Sequence, residues 1–406
     1  MTNNRVVITG LGVVAANGTG KDEFWRAITE GVSGVKEVSS FDTSSLQSRM
    51  AAEVTDFDPE HYVKRQRAEK MGRASQLAIA ASRLALEDGG VELGGIDAER
   101  AGIVVGTTQG EGRDFELALD TWFEDGADKL TAEGIHRANH ANIVKNIASE
   151  FEMFGPSLIV ATACSAGNYA VGYGGDLIRL GRADFVLAGG VEPFSRIPFI
   201  GFNRLGAIAP ELCQPFDLNR KGAIFGEGAG FLVMESLEHA LKRGAQIYAE
   251  FRGYALSCDA YHPTAPDPAG RQASRMIRQA LRFSGLEPEQ VDYISAHGTG
   301  TKANDRVESK VITEVFEENA RHIPVSSIKS MIGHSMGAAA AIEAVCCVLA
   351  IQRGVVPPTI NHFEKDPNCN VDLVANVARE KRVDVAINNS FAFGGNNACT
   401  VFSQFN

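Results

Sequence analysis

The chain has 406 residues, 44% of them hydrophobic, and a formal net charge of −11 at pH 7. This length exceeds that of one ordinary domain and predicts one very large or two fused folding units. The negative charge argues against nucleic-acid binding as the main role of the protein.

The cysteine and hydropathy patterns exclude two further classes. Seven cysteines, an odd number without the Cys-x-x-Cys spacing of a zinc site, predict reduced thiols and no bound metal. We find no 18-residue apolar run and no basic leader before an apolar segment, so we expect no membrane span and a cytoplasmic protein.

Strand and helix patterns alternate along the chain in two similar series. The first series predicts strands at residues 5–9, 102–106, 157–162, 184–188 and 230–235, with a helix at 71–87. The second predicts strands at 247–255, 292–296, 323–327, 383–388 and 399–405, with helices at 272–284 and 337–353. This alternation indicates an α/β fold with a largely parallel sheet covered on both faces. The repetition predicts two pseudo-symmetric halves, 1–246 and 247–406, packed as one rigid body.

Four predicted strand ends carry chemically useful side chains, and such ends meet in one crevice of an open α/β sheet. The first is Cys164, between an apolar strand and a helix rich in small residues. The free N–H groups of a helix N-terminus favour a thiolate over a thiol, so Cys164 is a candidate nucleophile. A buried structural cysteine is the alternative interpretation of this residue taken alone.

The other three strand ends lie in the second series. His297 begins the motif His-Gly-Thr-Gly-Thr, which leads to Asp305 and Glu308. Lys329 and His334 lie in Ser-Ser-Ile-Lys-Ser-Met-Ile-Gly-His, and a glycine-rich turn occupies 388–397. A cysteine, two histidines and a lysine drawn from both halves predict one shared catalytic site.

Three local motifs suggest other chemistries. Gly-His-Ser-Met-Gly at 333–337 matches the nucleophile elbow of α/β hydrolases, but only Glu343, inside a helix, precedes the one later histidine, His362. Gly-Leu-Gly-Val-Val-Ala at 10–15 resembles a dinucleotide fingerprint, but turn residues follow where a phosphate-binding helix should begin. His136 and His140 have the spacing of a metal pair, but Arg137 replaces the glutamate of His-Glu-x-x-His.

Four motifs taken together carry a family resemblance. They are Ala-Thr-Ala-Cys-Ser-Ala-Gly around Cys164, His-Gly-Thr-Gly-Thr from His297, Lys-Ser-Met-Ile-Gly-His from Lys329 and Asn-Ser-Phe-Ala-Phe-Gly-Gly from Asn389. They resemble the β-ketoacyl-[acyl-carrier-protein] synthases of the type II kind, and the match covers nearly the whole chain. The resemblance implies a thiolase fold, in which two pseudo-symmetric α/β halves form a layered α-β-α-β-α core, and usually a homodimer.

The resemblance also implies a reaction. An acyl thioester would condense with malonyl-[acyl-carrier-protein] to give 3-oxoacyl-[acyl-carrier-protein] and CO2 in fatty-acid or polyketide chain elongation. Cys164 would carry the acyl group, and His297 and His334 would stabilise the enolate oxygen. The backbone N–H groups of Cys164 and Phe393 would hold the oxyanion of each acyl transfer. No cofactor is expected, because the substrate arrives on the phosphopantetheine arm of the carrier protein.

Supporting roles follow from the same resemblance. Lys329 is expected to form an ion-pair network with Asp305 and Glu308, since a buried ammonium needs carboxylate partners. Two threonines of the His297 loop are expected to orient its ring, and a glycine-containing loop is expected to gate the acyl pocket. The threonines are Thr299 and Thr301, and the gate is formed by Phe391, Phe393, Gly394 and Gly395.

Three features depart from the family pattern. One is the Gly-Thr-Gly-Thr that follows His297, where fatty-acid elongation enzymes more often have Gly-Thr-Ser-Thr and which is more similar to polyketide synthases. Ala392 stands where a glycine usually separates the two phenylalanines, which predicts a stiffer gate. Gln109 occupies a place where the acyl pocket is often lined by an apolar side chain. A buried amide needs hydrogen-bond partners, so Gln109 predicts either a short pocket or a polar, unsaturated or aromatic acyl group.

The expected partner is an acyl carrier protein docked on exposed cations. The predicted docking residues are Lys64, Arg65, Arg67, Lys70 and Arg204.

Two other functions remain open. A non-catalytic chain-length-factor subunit, the partner of a ketosynthase in a heterodimer, would lack the nucleophile. A thiolase would need a second catalytic cysteine in a Cys-x-Gly setting, and Cys399 lacks that glycine.

Overall fold

The computed structural model describes residues 4–406. Within this range the chain forms strands numbered β1 to β17 in chain order. They are β1 Val6–Ala15, β2 Gly18–Thr19, β3 Lys36–Glu37, β4 Met50–Ala52, β5 Ala101–Gly106, β6 Ser157–Val160, β7 Phe185–Glu192, β8 Phe225–Gly226, β9 Gly228–Ser236, β10 Ala249–Cys258, β11 Tyr293–Ser295, β12 Pro324–Ser326, β13 Val355–Val356, β14 Asp372–Leu373, β15 Arg379–Glu380, β16 Val385–Phe391 and β17 Asn396–Ser403.

The α-helices of the same range are numbered α1 to α12. They are α1 Lys21–Thr29, α2 Arg73–Asp88, α3 Gly112–Asp125, α4 Ala132–Arg137, α5 Asn142–Phe151, α6 Ala166–Arg179, α7 Arg196–Arg204, α8 Leu237–Lys242, α9 Arg271–Phe283, α10 Lys302–Phe316, α11 Lys329–Ile332 and α12 Met336–Arg353. Every strand and helix predicted from the sequence is present, with shifted ends.

The main sheet repeats one strand order in the two halves of the chain. Its order is β14-β12-β11-β16-β17-β10-β1-β9-β7-β5-β6, and β1 and β10 join the halves as an antiparallel pair. Counted within each half, the five longest strands follow the order 3-2-4-5-1 in both. The expected pseudo-symmetry is therefore confirmed, while the boundary between residues 246 and 247 stays a prediction.

The strand directions differ from the sequence-based expectation. The pairs of β5 with β6 and β7, and of β11 with β12 and β16, are parallel. The pairs of β9 with β1 and β7, and of β17 with β10 and β16, are antiparallel. The expected largely parallel sheet is therefore wrong. The fifth strand of each half lies between the first and the fourth and runs antiparallel to both. The order of strands and helices along the chain does not reveal this direction.

The helices form three layers around the two halves of the sheet. Helix α2 packs on β1 and β9, and α9 packs on β10 and β17, so these helices are outer layers. Helices α6 and α12 pack on each other and on strands of both halves, so they form the middle layer. Gly167 permits their close approach, since a Cβ there would lie 2.5 Å from the Ala341 nitrogen.

The glycine motif at 10–15 belongs to strand β1. A Cβ on Gly12 would lie 1.9 Å from the Ala81 carbonyl oxygen of α2. The glycines therefore serve strand–helix packing. Strand β2 separates them from α1, so no helix begins directly at the motif as a phosphate-binding turn requires.

Helix α12 is long and apolar enough to cross a membrane by length and composition, with a mean hydropathy of 1.5. The expectation of no such apolar run is therefore wrong. In the structure 89% of this segment is buried inside the protein. Helix α12 is thus a core helix, and its apolar surface is covered by both halves of the sheet.

Candidate active site

Cys164 lies in a tight turn between β6 and α6. The short 3-10 turn Ala163–Ser165 precedes the helix, and Ala163 has a left-handed φ of +50°. Such a conformation is costly for a residue with a Cβ and persists only when neighbouring groups hold it. Ser165 supplies one such contact, because its Oγ lies 2.9 Å from the carbonyl oxygens of both Thr162 and Asn396. The turn is thereby fastened to β17 of the other half.

Burial controls the acidity of the Cys164 thiol. It raises the pKa of Cys164 to about 11, against lowering contributions from the Lys329 charge and the backbone N–H of Phe393. A helix N-terminus stabilises an anion by at most about 2 kcal/mol. A pKa change from the ordinary 9.0 to about 11 corresponds to about 2.7 kcal/mol. The backbone N–H groups at the sulfur thus lower the pKa of Cys164, as expected, but burial outweighs them and favours the thiol.

His297 and His334 form a perpendicular pair. Their ring centroids lie 5.3 Å apart at an interplanar angle of 86°. Burial and the Lys329 charge lower the pKa of both rings well below the ordinary value. Each imidazole is therefore neutral at neutral pH and can donate one N–H. Within residues 4–406 the Nδ1 atoms of both rings are buried without a hydrogen-bond partner.

Glu308 shapes the His297 loop. Its carboxylate accepts the backbone N–H groups of His297 and Gly298, each at 2.8 Å. Gly298 and Gly300 have φ values of +37° and +78°, which a glycine adopts at low cost. Burial raises the pKa of Glu308 to about 8. The loop is thus held through its backbone, and among the described residues neither Thr299 nor Thr301 hydrogen-bonds the His297 ring, so the expected ring orientation by threonines is wrong.

Lys329 is buried with a partner that the sequence interpretation missed. Its ammonium forms an ion pair with Glu343 of α12, and both side chains are almost inaccessible. Within residues 4–406 neither Asp305 nor Glu308 lies at ion-pair distance from Lys329, so the expected direct pairing is wrong, although the Lys329 charge lowers the pKa of Glu308. Asp305 instead lies 3.5 Å from the guanidinium of Arg220 and accepts the Phe216 N–H at 2.8 Å.

Glu343 could have been found from the sequence. It is the one acidic residue in the apolar helix α12, and a buried carboxylate requires a cation or several donors nearby. We placed it in the helix but assigned it no partner. Burial raises the pKa of Glu343 to about 7, against the lowering effect of Lys329.

One cavity of about 370 Å³ collects residues from both halves. Its wall includes Cys164, His297, His334, Thr299, Thr301, Phe391 and Phe393 from the predicted set, and Phe202, Arg220 and Phe225, which the sequence interpretation did not name. Lys329, Asp305 and Glu308 lie behind this wall. The structure therefore brings the predicted nucleophile and both predicted histidines into one space.

The glycine-rich turn closes one side of this cavity. The Phe393 ring stacks on Phe202 at a centroid distance of 5.1 Å. Gly394 and Gly395 have φ values of +80° and +77°, and Gly394 is exposed. The Gly394 N–H donates to the Pro263 carbonyl at 2.8 Å. The turn thus rests on a neighbouring loop through its backbone, with one aromatic ring over the cavity.

Gln109 does not reach this cavity. Its Oε1 accepts from Ser195 Oγ at 3.1 Å, and the residue is half-buried. It lines a second cavity of about 410 Å³ together with Thr108, His140 and Ile159. Its role in an acyl pocket stays a prediction.

The predicted docking residues separate into two groups. Arg204 ends α7, the helix whose Phe202 lines the cavity. The other four lie on the segment 64–70, away from the cavity wall. Three of these are near acidic side chains: Arg65 pairs with Glu152, Arg67 with Glu69, and Lys70 lies 3.9 Å from Glu133.

The rival motifs are not supported by the structure. Ser335 of the hydrolase-like motif is fully buried and does not line the cavity. His136 lies in α4, whereas His140 lies beyond the end of that helix, so the two do not share a helix face. Cys399 is buried in β17, away from the cavity. Among residues 4–406 no group of three or more histidine, cysteine, aspartate or glutamate side chains could hold a metal ion.

Comparisons with known proteins agree with this geometry. Protein-family models described as "Beta-ketoacyl synthase, N-terminal domain" and "Beta-ketoacyl synthase, C-terminal domain" match residues 3–240 and 248–363. The 3-oxoacyl-[acyl-carrier-protein] synthase 2 of Coxiella burnetii is 40% identical over 100% of this chain and 99% of its own length.

Two solved structures share the whole fold. The ishigamide ketosynthase/chain length factor superposes with a TM-score of 0.96 and 45% identity, covering 100% of both chains. The AntDE:AntF structure, a type II polyketide acyl-carrier protein in complex with its ketosynthase, superposes with a TM-score of 0.91 and 33% identity, also covering 100% of both. The resemblance and the thiolase fold inferred from the sequence are thereby confirmed, and this chain belongs to the β-ketoacyl synthase family of acyl-transferring condensing enzymes.

Proposed function

We propose that this chain condenses an acyl thioester with malonyl-[acyl-carrier-protein], releasing CO2 and 3-oxoacyl-[acyl-carrier-protein] in fatty-acid or polyketide chain elongation. One observation carries the proposal: a single cavity holds the Cys164 thiol beside two neutral histidine rings. A nucleophile of this kind can hold the acyl group while neutral N–H donors stabilise an enolate formed next to it.

Cys164 performs the first half of the reaction. Its sulfur bonds to the carbonyl carbon of the acyl thioester, and the carrier thiol leaves with the proton that Cys164 loses. The backbone N–H groups of Phe393 and Cys164 face the sulfur, where each lowers the pKa of the thiol. The same donors can hold the oxyanion of the tetrahedral intermediate. Since the pKa of the thiol is about 11, proton loss accompanies attack.

His297 and His334 serve the second half. The bond between the malonyl α-carbon and its carboxylate breaks, CO2 leaves, and the electron pair forms an enolate whose oxygen accepts the two imidazole N–H groups. The α-carbon then attacks the acyl carbon, and the Cys164 sulfur leaves as a thiolate and takes a proton from solvent. Loss of CO2 provides the driving force, so we propose no cofactor.

Lys329 is a positioning residue in this scheme. It lies behind the cavity wall, paired with Glu343. Its charge lowers the pKa of Cys164, His297 and His334. A fixed cation of this kind disfavours a second positive charge on either ring and keeps both histidines neutral.

We assign the gate of the acyl pocket to Phe393, supported by its place over the cavity and its glycine neighbours. Rotation about Gly394 and Gly395 moves the ring without breaking a strand, because the turn lies between β16 and β17. Ala392 restricts one side of this hinge. Replacing Ala392 with glycine should therefore speed acyl transfer from the carrier more than it changes decarboxylation.

The proposed partner is an acyl carrier protein, as in the AntDE:AntF complex. Arg204 has the best-supported place for docking, because it is exposed on the helix that supplies Phe202 to the cavity. Arg204→Glu should raise the KM for the carrier protein several-fold. Lys70→Glu should have a smaller effect, since Glu133 already lies 3.9 Å from Lys70.

A second copy, or a related subunit as in the ketosynthase/chain length factor structure, is proposed to cover an exposed apolar surface of the first half. Phe123, Trp122 and Phe115 of α3 are 78%, 49% and 50% exposed, and Leu158 of the edge strand β6 is 46% exposed. Burying such a surface favours association, and an open edge strand can pair with another. Sedimentation velocity tests this association, and Leu158→Lys is expected to weaken the dimer.

We also propose a cytoplasmic location, supported by the burial of α12 inside the protein.

The proposal is tested with the purified chain, an acyl-carrier protein and malonyl-carrier protein. Mass spectrometry should detect the acyl group on Cys164 before malonyl addition, and 3-oxoacyl-carrier protein with CO2 afterwards. If neither the acyl-enzyme nor the product forms, but adding a catalytic homologue restores product, the chain is a non-catalytic partner subunit and the proposal fails.

A further inference from the structure

Helix α9 carries a row of arginines that contrasts with the acidic character of the chain. The helix contains four arginines and no acidic residue, whereas the chain has a formal net charge of −11. Arg271, Arg275, Arg278 and Arg282 are all exposed, and the opposite face of the helix is buried. Their spacing places the four side chains on one face over about 16 Å. We call these four residues the arginine row.

Most of the arginine row is not neutralised by the protein. Arg271 lies 3.5 Å from the Asp267 carboxylate. In the part of the chain that the structure describes, the other three arginines have no carboxylate at ion-pair distance. Arg278 is nevertheless held in place, because its Nη2 donates to the Glu314 backbone carbonyl at 2.6 Å. The row therefore offers a ligand three guanidinium groups without a carboxylate partner, and one of them, Arg278, is held in place.

The arginine row lines a groove of about 370 Å³ that Glu314 of α10 borders on the other side. Ser274, which also lines the groove, is only 3% exposed, and its Oγ has no hydrogen-bond partner within residues 4–406. Buried hydroxyl groups normally have a partner. An unpartnered hydroxyl beneath a row of arginines indicates that the groove receives a polar ligand.

We propose that this groove binds a small anion with two or more adjacent phosphate groups, either a nucleoside phosphate or free polyphosphate. Guanidinium groups match phosphate oxygens in pairs, and arginines one helical turn apart can each take a different phosphate. Ser274 supplies a further donor below them. A concave groove of this size suits a small ligand. A nucleic acid or an anionic membrane would bring continuous negative charge against Glu314.

Isothermal titration of the full chain with tripolyphosphate and with ATP tests this site. Arg275→Gln/Arg278→Gln should lower the affinity for tripolyphosphate by about 10- to 100-fold, because charge-assisted hydrogen bonds are lost. Lys36→Gln/Lys242→Gln removes two exposed cations elsewhere and should leave the affinity within about twofold. Ser274→Ala should weaken binding less than the arginine pair.

Two outcomes would overturn the site. One is the absence of saturable binding of either probe to the unmodified chain at concentrations up to about 1 mM, which corresponds to a weak binding free energy of about −4 kcal/mol. Binding of anionic vesicles in place of the two probes counts as this outcome. The other is an equal loss of affinity in both double variants. The ligand source is read from the two probes on the unmodified chain. Tighter binding of ATP than of tripolyphosphate assigns the groove to a nucleoside phosphate, and equal or tighter binding of tripolyphosphate assigns it to free polyphosphate. Because the groove is separate from the Cys164 cavity, either failure leaves the condensing reaction untouched.

Discussion

The two halves of the molecule share one strand order but supply different chemistry. The third strand of the first half, β6, leads to Cys164, while its counterpart β12 leads to Lys329 and His334. The second strand β11 leads to His297, whereas its counterpart β5 leads to Thr108 and Gln109, whose N–H groups donate to the buried Glu192. The repeat therefore brings the ends of β6, β11 and β12 to one cavity. In the proposed reaction, Cys164 of the first half carries the acyl group, and the two histidines of the second half serve decarboxylation.

The largest expected effect is the loss of acyl transfer when Cys164, in the first half of the molecule, is replaced. Cys164→Ala should lower condensation by at least about 10³-fold, because no acyl-enzyme forms. Malonyl decarboxylation should persist, since both histidines remain. Condensation is followed by product mass and decarboxylation by CO2 release. Cys258→Ala, at an exposed cysteine, is the matched control and should keep activity. Parallel loss of both reactions in Cys164→Ala would contradict the division.

Replacing the histidines of the second half of the molecule should affect decarboxylation instead. His297→Ala and His334→Ala should each lower decarboxylation by about 10²- to 10³-fold, because each removes one donor to the enolate oxygen. Acylation of Cys164 should remain nearly unchanged, as seen by intact-protein mass spectrometry. His322→Ala, at an exposed histidine, should leave both steps unaffected. Failure of the two active-site variants to acylate Cys164 would show that the halves do not act separately.

The buried ion pair between Lys329 and Glu343 should contribute to the free energy of unfolding. Lys329→Met leaves the Glu343 carboxylate buried without its cation, and Glu343→Leu leaves the ammonium without its carboxylate. Each single variant should lose about 3–5 kcal/mol in the free energy of unfolding. Lys329→Met/Glu343→Leu should recover most of that loss, because no unpaired charge remains. Denaturant unfolding measures all three. Additive losses in the double variant would mean that the two groups do not interact.

The smallest expected effect is a difference in pH dependence between the Cys164 thiol of the first half and the two histidines of the second. With a pKa of about 11, the thiolate fraction of Cys164 should rise about tenfold per pH unit between pH 7 and 9. Iodoacetamide alkylation of a Cys258→Ser chain should follow the same slope. Decarboxylation should stay constant over this range, because the pKa of both histidines lies well below it. An alkylation rate that levels off below pH 8 would indicate a resting thiolate.

The same histidines predict how stability responds to acid. Their pKa is lowered in the folded state, so the unfolded chain binds more protons below the ordinary histidine value of 6.5. Their contribution to folding free energy is therefore complete above pH 6.5 and is lost as the pH falls below it.

Much of the site could be predicted because each residue ends or follows a recognisable strand. Cys164, His297 and His334 lie in short motifs at such ends, and parallel strands bring their ends to one edge. The partner of Lys329 could not be found this way. Asp305 and Glu308 lie close to His297 in the sequence, but Glu343 reaches Lys329 from a helix that follows it, through packing alone.

The sequence by itself determined the alternation of strands and helices, the position of the proposed nucleophile at a strand end and the family, because these depend on local patterns and on motifs of adjacent residues. The tertiary structure decided which strands run antiparallel, which carboxylate neutralises Lys329 and whether Cys164 rests as a thiol. Each of these depends on burial or on contacts between segments distant in sequence. In the buried interior the loss of hydration outweighs a helix N-terminus, and neither quantity can be read from neighbouring residues.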